Sequence, residues 1–200
     1  MKKILLLISL FLGITLISCN NKGANSKNDK SEEELDTIWN DKVQETFFDV
    51  TFGDSINDVI AKLENHGFYY NKSISTDVLL HFSSREGQYF SFGNMNWQML
   101  DIFASNGRFN GIMFMNASDD KASALQNYNN IKKAIENKYS ITEKPLNDTT
   151  LYAASLVFGK NQTAACVSCY RYETIGGNIK IGTDLTYKSM KKFAGPNDEL

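Results

Sequence analysis

Side chains able to do chemistry are few in this chain of 200 residues, which has two histidines and three cysteines. His66 stands before Gly67 at the end of an apolar-periodic stretch, where a cation suits the negative end of a helix dipole; it reads as a cap or surface residue. His81 lies in Val78-Leu79-Leu80-His81-Phe82, a strand-like run with no Cys, Asp or second His at metal-ligand spacing, and is expected to pack in a core or at an edge. Two isolated histidines give no basis for a Ser-His-Asp arrangement. Cys166-Val167-Ser168-Cys169 has the spacing of a redox pair. That chemistry needs a helix N-terminus to hold the thiolate, and the flanks Ala164-Ala165 and Tyr170-Arg171-Tyr172 read as strand. Strand residues three apart point to opposite faces with Cα atoms about 10 Å apart, whereas a disulfide spans roughly 4.4–6.8 Å. Unpaired cysteines are the expectation, and only a bulge would let them close a bond. Asp101 and Glu173 fall in strands and would have to share a pocket to work as a glycosidase pair; surface placement is the simpler reading. Phosphate loops, nucleophile elbows and calcium loops are absent. No catalytic residue, metal site or cofactor is expected.

Binding chemistry is better represented. Trp97, Met99, Phe103, Met113 and Met115 fall in neighbouring strand-like runs. Methionine adapts its shape and aromatic rings supply contact area, so these five form the candidate binding surface. Core packing under loops is the competing reading.

The elements that must position them follow from local patterns. Residues 47–52 are a short β-prone run ending at Gly53. Ser55 with Asp58 has capping-box spacing, Ile56, Val59, Ile60 and Leu63 repeat at helical intervals, and Gly67 stops the helix. Four strands are expected at 76–83, 88–93, 97–104 and 109–115, the last two joined by Asn106-Gly107, the strongest hairpin signal present. A second helix opens at Ser118-Asp119-Asp120 and runs to about Tyr139, and strands at 151–158, 164–174 and 178–187 follow. The predicted fold is α+β: an antiparallel sheet of about seven or eight strands built from two helix-then-meander units (47–117 and 118–188), with both helices on one face. Residues 189–200 read as a polar tail.

The N-terminus speaks to location. Met1-Lys2-Lys3 is followed by an apolar run too short for a stable membrane span, closed by Leu16-Ile17-Ser18-Cys19. This resembles a signal peptide ending in the lipobox of bacterial lipoproteins, and the resemblance implies removal of residues 1–18, lipidation of Cys19 with a palmitate-type acyl group, and membrane attachment through that lipid. Stable anchoring needs more than one chain. Removal of Lys2 and Lys3 leaves 19 Lys and Arg against 23 Asp and Glu, a net charge of −4. That balance argues against nucleic acid and anionic lipid as partners. Residues 19–34 are nearly devoid of hydrophobic side chains and read as a flexible tether to a domain at 35–188. Against the sorting signals of the bacterial lipoproteins it resembles, Asn21 in place of Asp after the lipobox Cys and an acidic cluster only at Glu32-Glu33-Glu34 imply the outer membrane with the domain facing the periplasm.

Val50-Thr51-Phe52-Gly53, Val59-Ile60-Ala61-Lys62-Leu63, His66-Gly67-Phe68 and Gly177-Asn178-Ile179-Lys180-Ile181 resemble a family of small secreted proteins of Bacteroidota; Lys138-Tyr139-Ser140 and the late Pro145 depart from its pattern. In architecture that family is similar to β-lactamase inhibitor protein and to the small lipoprotein of the outer-membrane assembly machine, both of which bind proteins without catalysis. Asp36-Thr37-Ile38 also resembles the acceptor of Bacteroidota protein O-glycosylation, which implies a glycan on Thr37; the matching Asp54-Ser55-Ile56 is better explained as a helix cap. The expectation is a non-catalytic envelope module with a protein partner. The alternatives are a glycan- or lipid-binding module and a small hydrolase with an unrecognised site.

Overall fold

The computed structural model of the chain describes residues 37–174 and 176–194. The leader, Cys19 and the tether lie outside them. In chain order the elements are β1 (Trp39–Asn40), β2 (Thr46–Phe47), β3 (Val50–Thr51), α1 (Ile56–Asn65), β4 (Phe68–Tyr70), β5 (Leu79–Ser84), β6 (Phe90–Phe92), β7 (Met95–Trp97), β8 (Met99–Ser105), β9 (Arg108–Ser118), α2 (Lys121–Glu136), β10 (Thr142–Glu143), β11 (Leu151–Gly159), β12 (Thr163–Glu173) and β13 (Ile179–Ser189). Helix α1 begins where Ser55 accepts the Asp58 N–H at 3.2 Å and donates its hydroxyl to the Asp58 carboxylate at 2.7 Å. It ends before Gly67, whose φ of +85° suits a residue without Cβ. Helix α2 is capped by the Asp120 carboxylate, which accepts the Ser123 N–H at 2.8 Å.

Nine strands form one sheet in the order β1-β11-β12-β13-β9-β8-β5-β4, with β10 also on β11, and β2-β3 and β6-β7 make separate two-stranded ribbons. The α+β class is as expected. The wholly antiparallel sheet is not: β1 runs parallel to β11, so the sheet is mixed. The first run of strands is also interrupted, because β6 and β7 leave the sheet between β5 and β8. Residues 47–52 fold back at Phe48 and Asp49 (φ 47° and 62°) instead of running straight.

Register assigns the faces. Leu100, Phe114, Leu185 and Val167 lie across from one another on β8, β9, β13 and β12, as do Ile102, Ile112, Tyr187 and Ala165 one rung along. All eight belong to one core with Val59 and Leu63 of α1 and Tyr128, Ile131 and Ile135 of α2. Both ribbons join that layer: Phe92 stacks on Phe114 with ring centroids 4.1 Å apart, and Phe47 meets Phe114 and Tyr187. The expected tail starts by gripping the domain, since the Lys191 ammonium pairs with Glu45 at 2.9 Å and the Phe193 carbonyl accepts from Asn106.

Candidate functional site: the methionine face of the sheet

The opposite parity builds the other face. One rung carries His81, Asp101, Met113, Thr186 and Cys166; the next carries Met99, Met115, Asp184 and Ser168. Phe103 lies opposite Gly111, and a Cβ there would meet the Phe103 ring at 3.1 Å, so glycine is what lets the ring lie flat on the sheet. No helix among the described residues packs on this side, because the buried residues of both helices point into the core. Met99 and Phe103 are half-buried, and Met113 and Met115 are each 8% exposed.

Four of the five residues expected at a binding surface therefore converge here. Trp97 does not, and this corrects the expectation. It is fully buried on the helix side, its indole N–H donates to the Phe92 carbonyl at 3.0 Å, and its ring packs on Phe114. The cause is a break in the strand at Gln98, which separates β7 from β8. The Gln98 carboxamide oxygen accepts the Ala117 N–H at 2.6 Å, and the Gln98 backbone N–H donates to Met115 O and to Asn116 Oδ1.

Polar groups are set into the face at two places. His81 Nδ1 and Asp101 Oδ1 are 2.7 Å apart. The hydrogen bond to Asp101 raises the imidazole pKa above its ordinary value, burial opposes the shift, and the carboxylate charge adds to it. The chain thus gives His81 the Asp partner that sequence spacing did not show, from a strand 20 residues away. Nothing nucleophilic among the described residues bonds the second ring nitrogen. The second place is Asp184, which accepts the Ser168 hydroxyl at 2.7 Å. Burial pushes its carboxyl up to about 7, against the Ser168 hydrogen bond and the nearby Tyr170 hydroxyl. The Tyr170 hydroxyl donates to Met115 Sδ at 3.2 Å, and its ring covers Gly182, where a Cβ would lie 2.9 Å away. In the His81–Asp101 rung Thr186 Oγ1 is buried without a hydrogen-bond partner, and one rung beyond it burial lowers the Lys188 ammonium pKa.

The other groups considered in the sequence do not assemble into sites. Asp101 belongs to this face and Glu173 to the opposite parity of β12, so they form no carboxylate pair. Cys166 and Cys169 are both free. Cys166 faces away from the helices and Cys169 into the core, the opposite-face arrangement that strand geometry dictates. His66 caps α1 and also bonds the Asp49 carboxylate at 2.8 Å, which ties the β2–β3 turn to the helix end. Thr37 is half-buried. Among the described residues no three His, Cys, Asp or Glu side chains cluster as a metal would require, and no helix is long and apolar enough to cross a membrane. In comparisons with known proteins, no family model, no curated protein and no solved structure matches this chain.

Proposed function

We propose that this chain is a lipid-anchored module of the bacterial envelope that binds a protein partner through the helix-free face of its sheet and catalyses no reaction. One observation carries the reading: Met99, Phe103, Met113 and Met115, chosen by residue type alone, fall on the one sheet face that no described helix covers. Methionines and aromatics on an extended face suit an adaptable protein contact. The unaccompanied His81–Asp101 pair gives a hydrolase nothing to attack with. Lipid attachment rests on the resemblance of Leu16-Ile17-Ser18-Cys19 to a lipobox, with the tether giving the domain reach from an outer membrane towards the periplasm. The finer architectural reading is two helix-then-meander halves; the β9–β13 pairing supports it, and the first meander is broken where the β6–β7 ribbon leaves the sheet.

The test is cross-linking in intact envelopes with the full chain and a Met99→Glu/Phe103→Glu double variant. A discrete partner band that the wild type gives and the double variant loses supports the reading. Equal recovery with both chains, at equal abundance, refutes it.

A further inference from the structure

On the helix side of the sheet, away from the methionine face, the β6–β7 ribbon, the ends of β8 and β9 and the first turns of α2 enclose a cleft of about 250 Å³. Four carboxamides, from Asn96, Gln98, Asn116 and Asn127, converge on it with the Ser123 hydroxyl, and Tyr89 stands exposed at its rim. No lining side chain carries a charge.

We propose that this cleft binds a neutral saccharide, with one pyranose ring among the carboxamides and its C–H face against Tyr89. Each carboxamide offers two N–H donors and an acceptor oxygen side by side, and a sugar hydroxyl likewise both donates and accepts. The amides are held in place before any ligand arrives. Gln98 Oε1 accepts the Ala117 N–H, while Asn116 Oδ1 accepts the Gln98 N–H at 3.0 Å and Asn116 Nδ2 donates to the Asn96 carbonyl at 2.9 Å. Each retains an unused donor or lone pair. Asn127 is half-buried, and its carboxamide makes no hydrogen bond among the described residues, so it is committed to nothing in the fold. Pre-set polar groups lower the ordering cost of binding a flexible polyol.

The lining excludes other ligand classes. A phosphate, carboxylate or ammonium would shed water with no counter-charge to meet it, and an acyl chain would strip water from carboxamides it cannot bond. An extended peptide needs an open strand edge to pair with; β9 is bonded on both sides, and on β7 the Asn96 carbonyl already accepts from Asn116 Nδ2. The cleft lies just under the roughly 300–1,000 Å³ of drug-sized pockets, which suits one sugar ring of a longer chain. The inference stands independently of the protein-docking face.

The experiment is saturation-transfer NMR on the full chain, in a detergent without a sugar headgroup. The probes are glucose, galactose, N-acetylglucosamine and their β1,4-linked disaccharides, beside glucose 6-phosphate, glucuronate and a neutral tetrapeptide. Transfer from neutral sugars at dissociation constants of about 1 mM is expected, weakened about tenfold or more by Asn127→Ala and by Tyr89→Ala. Asn127→Ala is expected to leave the thermal midpoint unchanged, which separates lost binding from lost folding. Transfer confined to the N-acetylated sugars supports the site with cell-wall glycan as its source, and transfer from plain hexoses supports it with free oligosaccharide. No transfer from any neutral sugar at about 10 mM, transfer unchanged in both variants, or preference for the charged or peptide probes overturns it.

Discussion

The imidazole of His81 and the carboxylate of Asp101 are direct cross-strand partners on β5 and β8, joined by a 2.7 Å hydrogen bond on the methionine face. Because Asp101 favours the protonated ring, the folded pKa of His81 lies above the free value of about 6.5. The sign follows: the pair's stabilisation is complete below about pH 6.5 and is lost as pH rises through the folded pKa. Proton NMR of the His81 ring should show a midpoint above that of a free imidazole, and Asp101→Asn should lower it. A wild-type midpoint at or below the free value would remove the pair from the account.

Asp184 gives the opposite behaviour. Its folded carboxyl titrates at about 7 against an unfolded value of 3.8. The native state therefore holds a proton that the unfolded chain has released, and unfolding free energy falls as pH rises across that window. Above it the charged, buried group costs up to roughly 4 kcal/mol. Asp184→Asn has no proton to lose and can still accept from Ser168, so the variant is predicted to gain stability over wild type as pH rises from 4 towards 8. Urea unfolding of both proteins at several pH values checks this. A difference that stays constant with pH would show that Asp184 is already charged when folded.

What local chemistry encodes was legible. Asn106 and Gly107 adopt φ of 53° and 70°, the left-handed pair of a tight hairpin, and both tolerate it unaided. The Ser55 cap and Gly67 stop are similarly self-contained. The Phe48-Asp49 turn was not legible, because nothing local favours an aromatic residue at φ 47°. Tertiary contacts hold it, with Phe48 against Phe68 at 5.0 Å and Asp49 on His66. Strands β1 and β10 are two residues long and carry no periodicity to read. At the candidate site, Met99, Phe103, Met113 and Met115, grouped by residue type, lie on one face, whereas Trp97 lies on the other. Trp97 and Met99 share a face only on an unbroken strand, and Gln98 breaks it with a side-chain bond to Ala117.

That break yields a contrast between neighbours. Trp97 is fully buried among Phe92 and Phe114, so Trp97→Ala should cost roughly 3–5 kcal/mol through lost burial and the cavity left behind. Met99→Glu, half-buried on the other face, should cost less in stability and act mainly on partner binding. Thermal melts of the two variants decide it. A Met99 variant that melts as low as the Trp97 variant would make the methionine face structural.

The cysteines test the strand assignment itself. Cys166 is half-buried yet sits where burial pushes its thiol up to about 12, and the Asp184 charge adds to the shift. Cys169, fully buried in the core, is shifted upward as well, again by burial first. At pH 8 the Cys166 thiolate fraction is then about a thousandfold below that of a thiol at its ordinary value of 9.0. In native protein both should resist maleimide for hours, and in urea both should label within minutes. Mass spectrometry should find no intramolecular Cys166–Cys169 bond under air, since the side chains leave β12 on opposite faces. Rapid native labelling of Cys166 would mean that its surroundings are open to solvent, and an oxidised pair would mean that β12 bulges between them.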